Sequence, residues 1–314
     1  MSLVEVSGLR KTYGGVAVVD DLSFCVEEGE IFGLLGPNGA GKTTAMMILA
    51  GLREPDAGTV AIGEAPAGDR RTRNGRLGLV PQELAIYPEL TGRENLQFFG
   101  GIHGLRGGRL RERVDELLNQ IGLKEHSEQY VRTFSGGMKR RLNFGAGLLH
   151  EPKLVILDEP TVGVDPQSRS HLLEAVQHLA ASGVGIIFAT HYMDEAQSIC
   201  HRVGIIDHGR MLECGRPDEL LDALHSNVRL HVKLAVQTAE NRLNDIADVE
   251  NQQGNDLRLT VRRKRNEASS AILHRLATVC ERLCSAGAEL VSIETNEHNL
   301  EDLFLQLTGR NLRE

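Results

Sequence analysis

A glycine-rich segment carries the residue types that bind phosphate. Residues 36–44 read GPNGAGKTT and fit the spacing G-x-x-x-x-G-K-[ST]. Glycines let the backbone fold back so that several N–H groups point toward one phosphate group. Lys42 adds a full positive charge for the β- and γ-phosphates, and Thr43 offers a hydroxyl group to Mg²⁺. The predicted nucleotide-binding residues are Gly36, Pro37, Asn38, Gly39, Ala40, Gly41, Lys42, Thr43 and Thr44.

Two adjacent carboxylates follow an apolar run later in the chain, in VILDEP at residues 155–160. A strand that ends in Asp158 would deliver its carboxylate toward Mg²⁺, usually through a water ligand. Glu159 would point to the other side of the backbone, where it could orient or deprotonate an attacking water. An acidic pair at the end of a strand can also form a helix-capping turn. Beside a phosphate loop, we favour metal binding by Asp158 and catalysis by Glu159.

Three apolar runs are predicted to be the strands that position these groups. Residues 31–35 are nearly continuously apolar, which is typical of a strand buried on both faces of a parallel sheet. They lead into the glycine loop and then into a predicted helix at 43–52. Two further buried strands are predicted at 154–157 and 185–190, and each ends in polar residues. Because open α/β sheets bind ligands at the carboxyl ends of their strands, the pattern predicts an α/β fold with its site at that edge.

Length and hydrophobic pattern indicate more than one domain. The 314 residues correspond to about two domains at roughly 150 residues each. From residue 228 the sequence VRLHVKLAV alternates strictly, which predicts a strand with one buried face. Later predicted elements are a strand at 257–261, a helix at 268–284, a strand at 289–293 and a helix at 300–307. We therefore predict a first domain at 1–224, with a helical subdomain at about 84–150, and a small α+β domain at 225–314.

Composition and charge exclude several classes of function. The net charge of −8 argues against a broad nucleic-acid-binding surface, and the absence of Trp with 4% aromatic residues argues against stacking on single strands. Five scattered cysteines do not form a disulfide framework. No apolar run approaches the roughly 18 residues that cross a bilayer, and the first residues do not resemble a signal peptide. We expect a cytoplasmic protein with no nucleic-acid partner.

The segment FSGGMKRR at residues 134–141 completes a set of motifs. Together with GPNGAGKTT, VILDEP and ATHYMDEA, it resembles the ATP-binding cassette (ABC) ATPase family over about residues 1–220. The resemblance implies a P-loop NTPase cassette with a mostly parallel core sheet and a helical subdomain, with ATP and Mg²⁺ as ligands. Phe134 stands where the commonest family form has leucine. Both residues are apolar, so this difference concerns packing rather than chemistry.

The family resemblance also implies roles for residues that the spacing of single motifs does not identify. Tyr13 would stack on adenine. Gln82 would reach Mg²⁺ and the attacking water, and His191 would contact the γ-phosphate. The predicted catalytic residues are then Glu159, His191 and Gln82, and the predicted metal-binding residues are Thr43, Gln82 and Asp158. An exposed tyrosine, a surface glutamine and a core histidine remain the alternative interpretations of Tyr13, Gln82 and His191.

The same resemblance implies that two copies of the chain work together. Ser135, Gly136 and Gly137 would face the γ-phosphate of ATP held by the second copy, using a hydroxyl group, N–H groups and the helix dipole. Asp165 would lie in the loop that crosses between the copies. ATP would therefore hold the dimer together.

Longer similarities favour one subfamily. PQELAIYPELTGRENLQFFG at residues 81–100, ATHYMDEA, and LEDLFLQLTGR at residues 300–310 resemble ATPase subunits of bacterial drug, antibiotic and polysaccharide exporters. Such a subunit works with a separate integral-membrane permease, which would dock on residues 82–99 and hold the chain at the inner face of the membrane. Two alternatives remain: a soluble ABC ATPase that acts on ribosomes or DNA, and the ATPase of an importer or a lipid release system.

Overall fold

A computed structural model describes residues 2–63, 75–222, 227–234, 248–253, 256–262, 269–285, 288–296 and 299–309. The strands are β1 (Ser2–Tyr13), β2 (Val16–Glu27), β3 (Ile31–Leu35), β4 (Ala57–Ile62), β5 (Leu77–Val80), β6 (Leu154–Asp158), β7 (Gly185–Thr190), β8 (Arg202–Asp207), β9 (Arg210–Gly215), β10 (Asn227–Leu234), β11 (Asp248–Gln253), β12 (Asp256–Arg262) and β13 (Ala288–Asn296). The helices are α1 (Lys42–Leu49), α2 (Gly92–Ile102), α3 (Gly107–Gln120), α4 (Gly136–Gly147), α5 (Pro166–Ala181), α6 (Met193–Ile199), α7 (Pro217–Asp222), α8 (Ser269–Ser285) and α9 (Leu300–Thr308).

The chain divides into two compact units. The first comprises Met1–Pro217 together with Phe304–Glu314, and the second comprises Asp218–Leu303. The predicted boundary between residues 224 and 225 falls at positions outside the described residues and stays a prediction. Within the described part of the chain, no helix is both long enough and apolar enough to cross a membrane.

A six-stranded sheet forms the centre of the first unit, in the order β5-β6-β7-β3-β8-β9. The first five of these strands are parallel, and β9 is antiparallel to β8. Every residue of β3, β6 and β7 is buried, as their mainly apolar sequences predict, and the buried residues include the polar strand ends Asp158 and Thr190. The register places Asp158 of β6 beside Ala189 of β7, and Leu35 of β3 beside Thr190. The predicted α/β fold with a mostly parallel sheet is confirmed, and the three site-bearing strand ends meet at one edge.

A three-stranded antiparallel sheet, β2-β1-β4, packs on the parallel sheet in the same unit. Apolar side chains of both sheets and of α1 form one core. In it, the rings of Phe24 and Phe32 stack with their centroids 4.9 Å apart. The helix predicted at 43–52 is α1, which ends at Leu49 because Gly51 adopts a left-handed φ of 73°.

Helices α2, α3 and α4 lie between β5 and β6 in the chain. Thr91 caps α2 by a reciprocal pair of hydrogen bonds with Glu94. The buried side chains Leu96, Val114 and Leu142 come one from each of these helices. The predicted extent of a helical subdomain, 84–150, is not tested and stays a prediction.

The second unit contains a four-stranded antiparallel sheet in the order β11-β12-β10-β13. Strands β10, β12 and β13 and helices α8 and α9 correspond to predicted elements, although residues 235 and 236 of the predicted first strand lie outside the described residues. Strand β11 was not predicted, because its sequence DVENQQ is polar and lacks alternation. Its backbone pairing with β12 decides its conformation.

The close approach of β5 to α4 predicts a stability effect at Gly78. A Cβ atom there would lie 2.3 Å from the carbonyl oxygen of Gly147 and 3.0 Å from Cγ of Pro152. Gly78→Ala should therefore destabilise the fold by about 1–3 kcal/mol, because backbone has to shift. A measurement of the thermal unfolding midpoint tests this. As a matched control, Gly101→Ala in α2 adds a Cβ atom that meets nothing within 4 Å, and it should stabilise by about 0.4–1 kcal/mol. Equal midpoints for the two variants would contradict the prediction.

Candidate nucleotide-binding site

The phosphate loop lies between β3 and α1, and neighbouring backbone packs tightly against it. Gly41 precedes α1 with a left-handed φ of 100°, and a Cβ atom on it would lie 2.3 Å from the carbonyl oxygen of Val18. A Cβ atom on Gly36 would lie 2.3 Å from the carbonyl oxygen of Ile206. Both positions therefore require glycine, and the surrounding backbone fixes the path of the loop.

The remaining loop residues differ in their exposure. Asn38 and Gly39 are exposed at the tip, where Gly39 has a left-handed φ of 83°. Ala40 is buried, and its carbonyl oxygen accepts a hydrogen bond from the N–H of Gly209 at 2.9 Å. Pro37 and Thr44 are half-buried. The tip of the loop is thus open to a ligand, and its base is anchored.

Lys42 begins α1, and its buried ammonium group bonds to the loop itself. Nζ donates to the carbonyl oxygens of Gly36 and Pro37 at 2.6 and 3.0 Å. It also lies 3.6 Å from Oε1 of Glu159. Burial lowers the pKa of Lys42, while the Glu159 and Asp158 carboxylates oppose that change. The ammonium group is therefore positioned at the mouth of the loop, where it can exchange these contacts for phosphate oxygens.

Asp158 ends β6 with a buried carboxylate that the side chain of Thr43 reaches by a hydrogen bond. Among the described residues, Oδ1 of Asp158 has no hydrogen-bond partner. Burial raises the pKa of Asp158, and the Thr43 hydrogen bond opposes that change. A buried carboxylate oxygen without a partner beside a hydroxyl group is a donor set that suits Mg²⁺. The residues present therefore fit the predicted metal.

Glu159 lies at the centre of the site. Gln82 Nε2 donates to its Oε2 at 3.0 Å, and Nδ1 of His191 lies 3.2 Å from its Oε1, although these two atoms are not aligned for a hydrogen bond. The Glu159 backbone has a left-handed φ of 48°, and its N–H donates to the carbonyl oxygen of Ala189 at 2.9 Å. The structure thus gathers the predicted residues Lys42, Thr43, Gln82, Asp158, Glu159 and His191 into one cluster.

The glycine pair after Ser135 lies at the start of α4, apart from the hydrogen bonds of that cluster. Ser135 is exposed and caps the helix, since its Oγ accepts from the Met138 N–H at 3.2 Å. Gly136 is exposed as well. At Gly137 a Cβ atom would lie 2.1 Å from Oγ of Ser168, so α5 packs against the helix start and requires glycine there. The start of α4 is therefore exposed at Ser135 and Gly136 and packed against α5 at Gly137.

Tyr13 and Asp165 also lie outside the hydrogen-bonded cluster. Tyr13 ends β1 with 44% of its surface exposed, and Nζ of Lys11 lies 5.7 Å from the centre of its ring. Asp165 is the N-cap residue of α5, and its Oδ1 accepts from the N–H of Ser168 at 2.9 Å. An exposed ring is available for stacking, but its adenine contact stays a prediction.

Arg140 is a site neighbour that the sequence did not reveal. From α4 its guanidinium group donates to the carbonyl oxygen of Gln82 and, at 3.3 Å, to that of Val162. It therefore ties the helix of Ser135 to the segment that presents Gln82. Its place in FSGGMKRR was a possible signal, but the sequence does not show which of the two adjacent arginines turns inward.

A glycine loop between a buried strand and a helix, with a carboxylate at the end of a nearby parallel strand, defines the chain as a phosphate-loop nucleoside triphosphatase. A family model described as "ABC transporter" matches residues 19–162. Whole-length relatives support the same conclusion. The chain belongs to the ABC transporter ATPase family, which binds and hydrolyses ATP.

Two relatives with named export or resistance roles match nearly the whole chain. The linearmycin resistance ATP-binding protein LnrL of Bacillus subtilis (strain 168) is 40% identical over 318 residues, covering 99% of this chain and 100% of the relative. The Nod factor export ATP-binding protein I of Ralstonia nicotianae is 38% identical over 339 residues, covering 99% and 95%. A solved structure titled as the ATP binding subunit of an ABC transporter is 33% identical, with a TM-score of 0.63, and covers 70% of this chain and 92% of its own.

The buried charge of Asp158 predicts a change in both stability and activity. Burial raises the pKa of Asp158 in the folded chain. The folded chain therefore binds a proton on this carboxyl group more tightly than the unfolded chain does. Because the group is ionised at neutral pH, its charge destabilises the fold there. Asp158→Asn should therefore raise the unfolding midpoint of the nucleotide-free chain at pH 7 and abolish Mg²⁺-dependent ATP hydrolysis. The gain in midpoint should shrink as the pH falls through the raised pKa.

Asp115→Asn provides the control, because that carboxylate is exposed and paired with Arg93. It should leave hydrolysis unchanged and should not raise the midpoint. Loss of hydrolysis without the gain in midpoint would mean that the ionised Asp158 does not destabilise the fold.

Proposed function

We propose that this chain is the ATP-hydrolysing subunit of an exporter. It would energise a separate membrane permease that exports a drug, antibiotic or other amphipathic or polymeric solute. The observation that carries the proposal is the match to the linearmycin resistance protein along its whole length. The clustering of Gln82, Lys42 and His191 around Glu159 supports it. The match to a Nod factor export protein supports the export direction.

ATP would bind with its phosphates on the loop of residues 36–44. The ammonium group of Lys42 would exchange the carbonyl oxygens of Gly36 and Pro37 for phosphate oxygens, which is favourable because these oxygens carry full negative charge. Thr43, Gln82 and Asp158 would hold Mg²⁺. When bound, this ion neutralises charge on the β- and γ-phosphates.

Glu159 would orient and deprotonate the attacking water. Of the two adjacent carboxylates, Glu159 is the one that contacts Gln82 and His191, the side chains that would reach the attacking water and the γ-phosphate. His191 would contact the γ-phosphate. Positioning and charge stabilisation supply most of the catalysis in such a reaction. The rate of hydrolysis should therefore depend mainly on the relative positions of Glu159, Gln82 and His191.

A second copy of the chain would complete each site. Ser135, Gly136 and Gly137 lie at the start of α4, which is exposed at Ser135 and Gly136. Backbone N–H groups and the helix dipole favour an anionic ligand there. ATP of the second copy would supply that ligand, and loss of its γ-phosphate on hydrolysis would release the dimer. Tyr13 would stack on the adenine of its own ATP, and Asp165 would lie in the loop between the copies.

An aromatic surface on and before α2 supports docking of the permease. Tyr87 and Phe98 are 46% and 43% exposed, and their ring centroids lie 4.9 Å apart in an edge-to-face arrangement. Exposed Leu84 and Ile102 extend the apolar surface. A groove of about 290 Å³ lies beside it, lined in part by Leu52 and Phe99. A permease segment covering this surface would hold the chain at the cytoplasmic face of the membrane.

Substitution of Glu159 tests the assignment of the general base. Glu159→Gln should lower kcat for ATP hydrolysis by about 10²–10⁴-fold, because the amide cannot take a proton, and ATP should still bind and hold the dimer closed. Steady-state hydrolysis, nucleotide binding and size-exclusion chromatography with ATP measure the three effects. Glu151→Gln, an exposed acidic residue, is the control. Unchanged turnover in Glu159→Gln would remove this residue from the role of base.

Substitution of Phe98 tests the permease surface. A tagged chain captured from detergent-solubilised membranes with ATP should bring down one polytopic membrane protein. Phe98→Ser should reduce the recovery about tenfold or more, as expected for loss of an aromatic interface residue. Leu212→Ser, at an equally exposed leucine on β9, should leave recovery unchanged. Equal recovery with both variants would exclude this surface, and capture of ribosomal proteins or DNA instead of a membrane protein would exclude export.

A further inference from the structure

A buried carboxylate lies behind the catalytic cluster and has no part in the roles described above. Glu195, in the first turn of α6, is 2% exposed. Its Oε2 accepts a hydrogen bond from the hydroxyl group of Thr161 at 2.7 Å. Its Oε1 lies 3.1 Å from Nε of Arg169 on α5, an ion pair in which these two atoms are not aligned for a hydrogen bond. One side chain thus joins three segments: the turn after Glu159, the start of α5 and the helix after His191.

The contacts of Glu195 continue to His191 through two side chains. The guanidinium group of Arg169 lies over the ring of Tyr192, 4.7 Å from its centre. The ring of Tyr192 lies against that of His191, with centroids 4.2 Å apart and planes at 40°. The Tyr192 N–H is fixed in turn by the hydroxyl oxygen of Thr190 at 2.9 Å. A continuous series of contacts therefore runs from Glu195 through Arg169 and Tyr192 to the His191 ring.

The other hydrogen bond of Glu195 acts on the backbone of Glu159. Thr161 is two residues after Glu159, whose left-handed φ of 48° is uncommon for a residue with a side chain. The carbonyl oxygen of Glu159 accepts from the Val162 N–H at 3.3 Å, and that of Thr161 accepts from the Val164 N–H at 3.2 Å. The hydrogen bond from Thr161 to Glu195 supports this tight turn, and the turn sets the direction of the Glu159 side chain.

Burial of a carboxylate is expensive unless its partners are well placed. Burial raises the pKa of Glu195, and the Thr161 hydrogen bond and the Arg169 charge oppose that change. An apolar side chain of similar volume would fill the space without this desolvation penalty, since replacing buried ion pairs by apolar residues is often neutral or stabilising. What Glu195 provides that an apolar residue could not is the hydrogen bond from Thr161 and the ion pair with Arg169.

We propose that Glu195 and Arg169 are positioning residues for ATP hydrolysis, which fix the 3.2 Å separation of Glu159 and His191 from both sides. This inference rests on the proposed roles of Glu159 and His191. Neither Glu195 nor Arg169 touches the nucleotide. They act by keeping Glu159 and His191 in place during the step that breaks the bond to the γ-phosphate. ATP binding at residues 36–44 does not depend on them.

The experiment compares Glu195→Gln, Arg169→Gln and the double variant in the full-length chain. Glu195→Gln keeps the volume and removes the charge. Each single variant should lower kcat by about 10- to 100-fold, the size expected for misplacing catalytic groups by about 1 Å, and the KM for ATP should change less than twofold. The double variant should be no slower than the slower single variant, because both changes break one connection. The unfolding midpoint is measured for all three.

The control is Glu174→Gln, which removes an exposed acidic charge from α5 and should leave kcat and KM unchanged. A lowered midpoint with unchanged kcat in the folded fraction would overturn the proposal, since it would show a purely structural role. A rise in KM that matches the fall in kcat would also overturn it. Because Arg169 is partly exposed, Arg169→Gln should disturb folding less than a change at Glu195. It therefore tests the positioning role if Glu195→Gln does not fold.

Glu159→Gln, measured in parallel, separates this inference from the proposed function. If Glu159→Gln abolishes turnover and the Glu195 and Arg169 variants do not lower kcat, only the positioning role is wrong. If Glu159→Gln leaves turnover unchanged, the assignment of the base is wrong, and the positioning role falls with it.

Discussion

A carboxylate that is removed from water has to be matched by donors or by positive charge. Glu159 meets this requirement with three side chains from three different segments: Gln82 donates to one oxygen, and Lys42 and His191 lie near the other. The three partners come together because the phosphate loop before Lys42, the segment after β5 with Gln82 and the end of β7 before His191 meet at the same edge of the sheet. The rest of the catalytic geometry depends on this convergence around one buried negative charge.

The parallel sheet produces the convergence. Parallel pairing of β6 with β7 and of β7 with β3 places their carboxyl ends side by side, so residues more than 100 positions apart in the chain become neighbours. Apolar burial holds the three strands in register. The price is that polar groups at these ends are drawn into a poorly hydrated region, where Asp158 keeps an oxygen without a hydrogen-bond partner and burial raises its pKa. The buried carboxylate of Asp158 thus lowers stability at the point where we propose that Mg²⁺ binds.

Close backbone packing has a matching role around the loops. A Cβ atom on Gly41 or Gly36 would clash with a backbone carbonyl oxygen of a neighbouring segment, and one on Gly137 would clash with the side chain of Ser168. These contacts restrict the loop and the start of α4 to one path each, so the N–H groups that are predicted to bind phosphate are already ordered in the chain without a ligand. Glu195 and Arg140 in turn join segments that carry the proposed catalytic side chains. In our proposal, contacts outside the cluster around Glu159, such as those of Glu195, set the positions of the side chains within it.

Local spacing and apolar runs within single segments were enough to predict the phosphate loop, the carboxylates Asp158 and Glu159, the strand–loop–helix order and the α/β class. Gln82, Ser135 and His191 came from family resemblance, since no local pattern distinguishes them from surface or core residues. Tertiary structure decided that α1 ends at Leu49, that the polar segment of β11 is a strand, and that Arg140 and Glu195 turn toward the site. These outcomes depend on contacts between distant segments, and such contacts leave no periodic signal in the sequence of either partner.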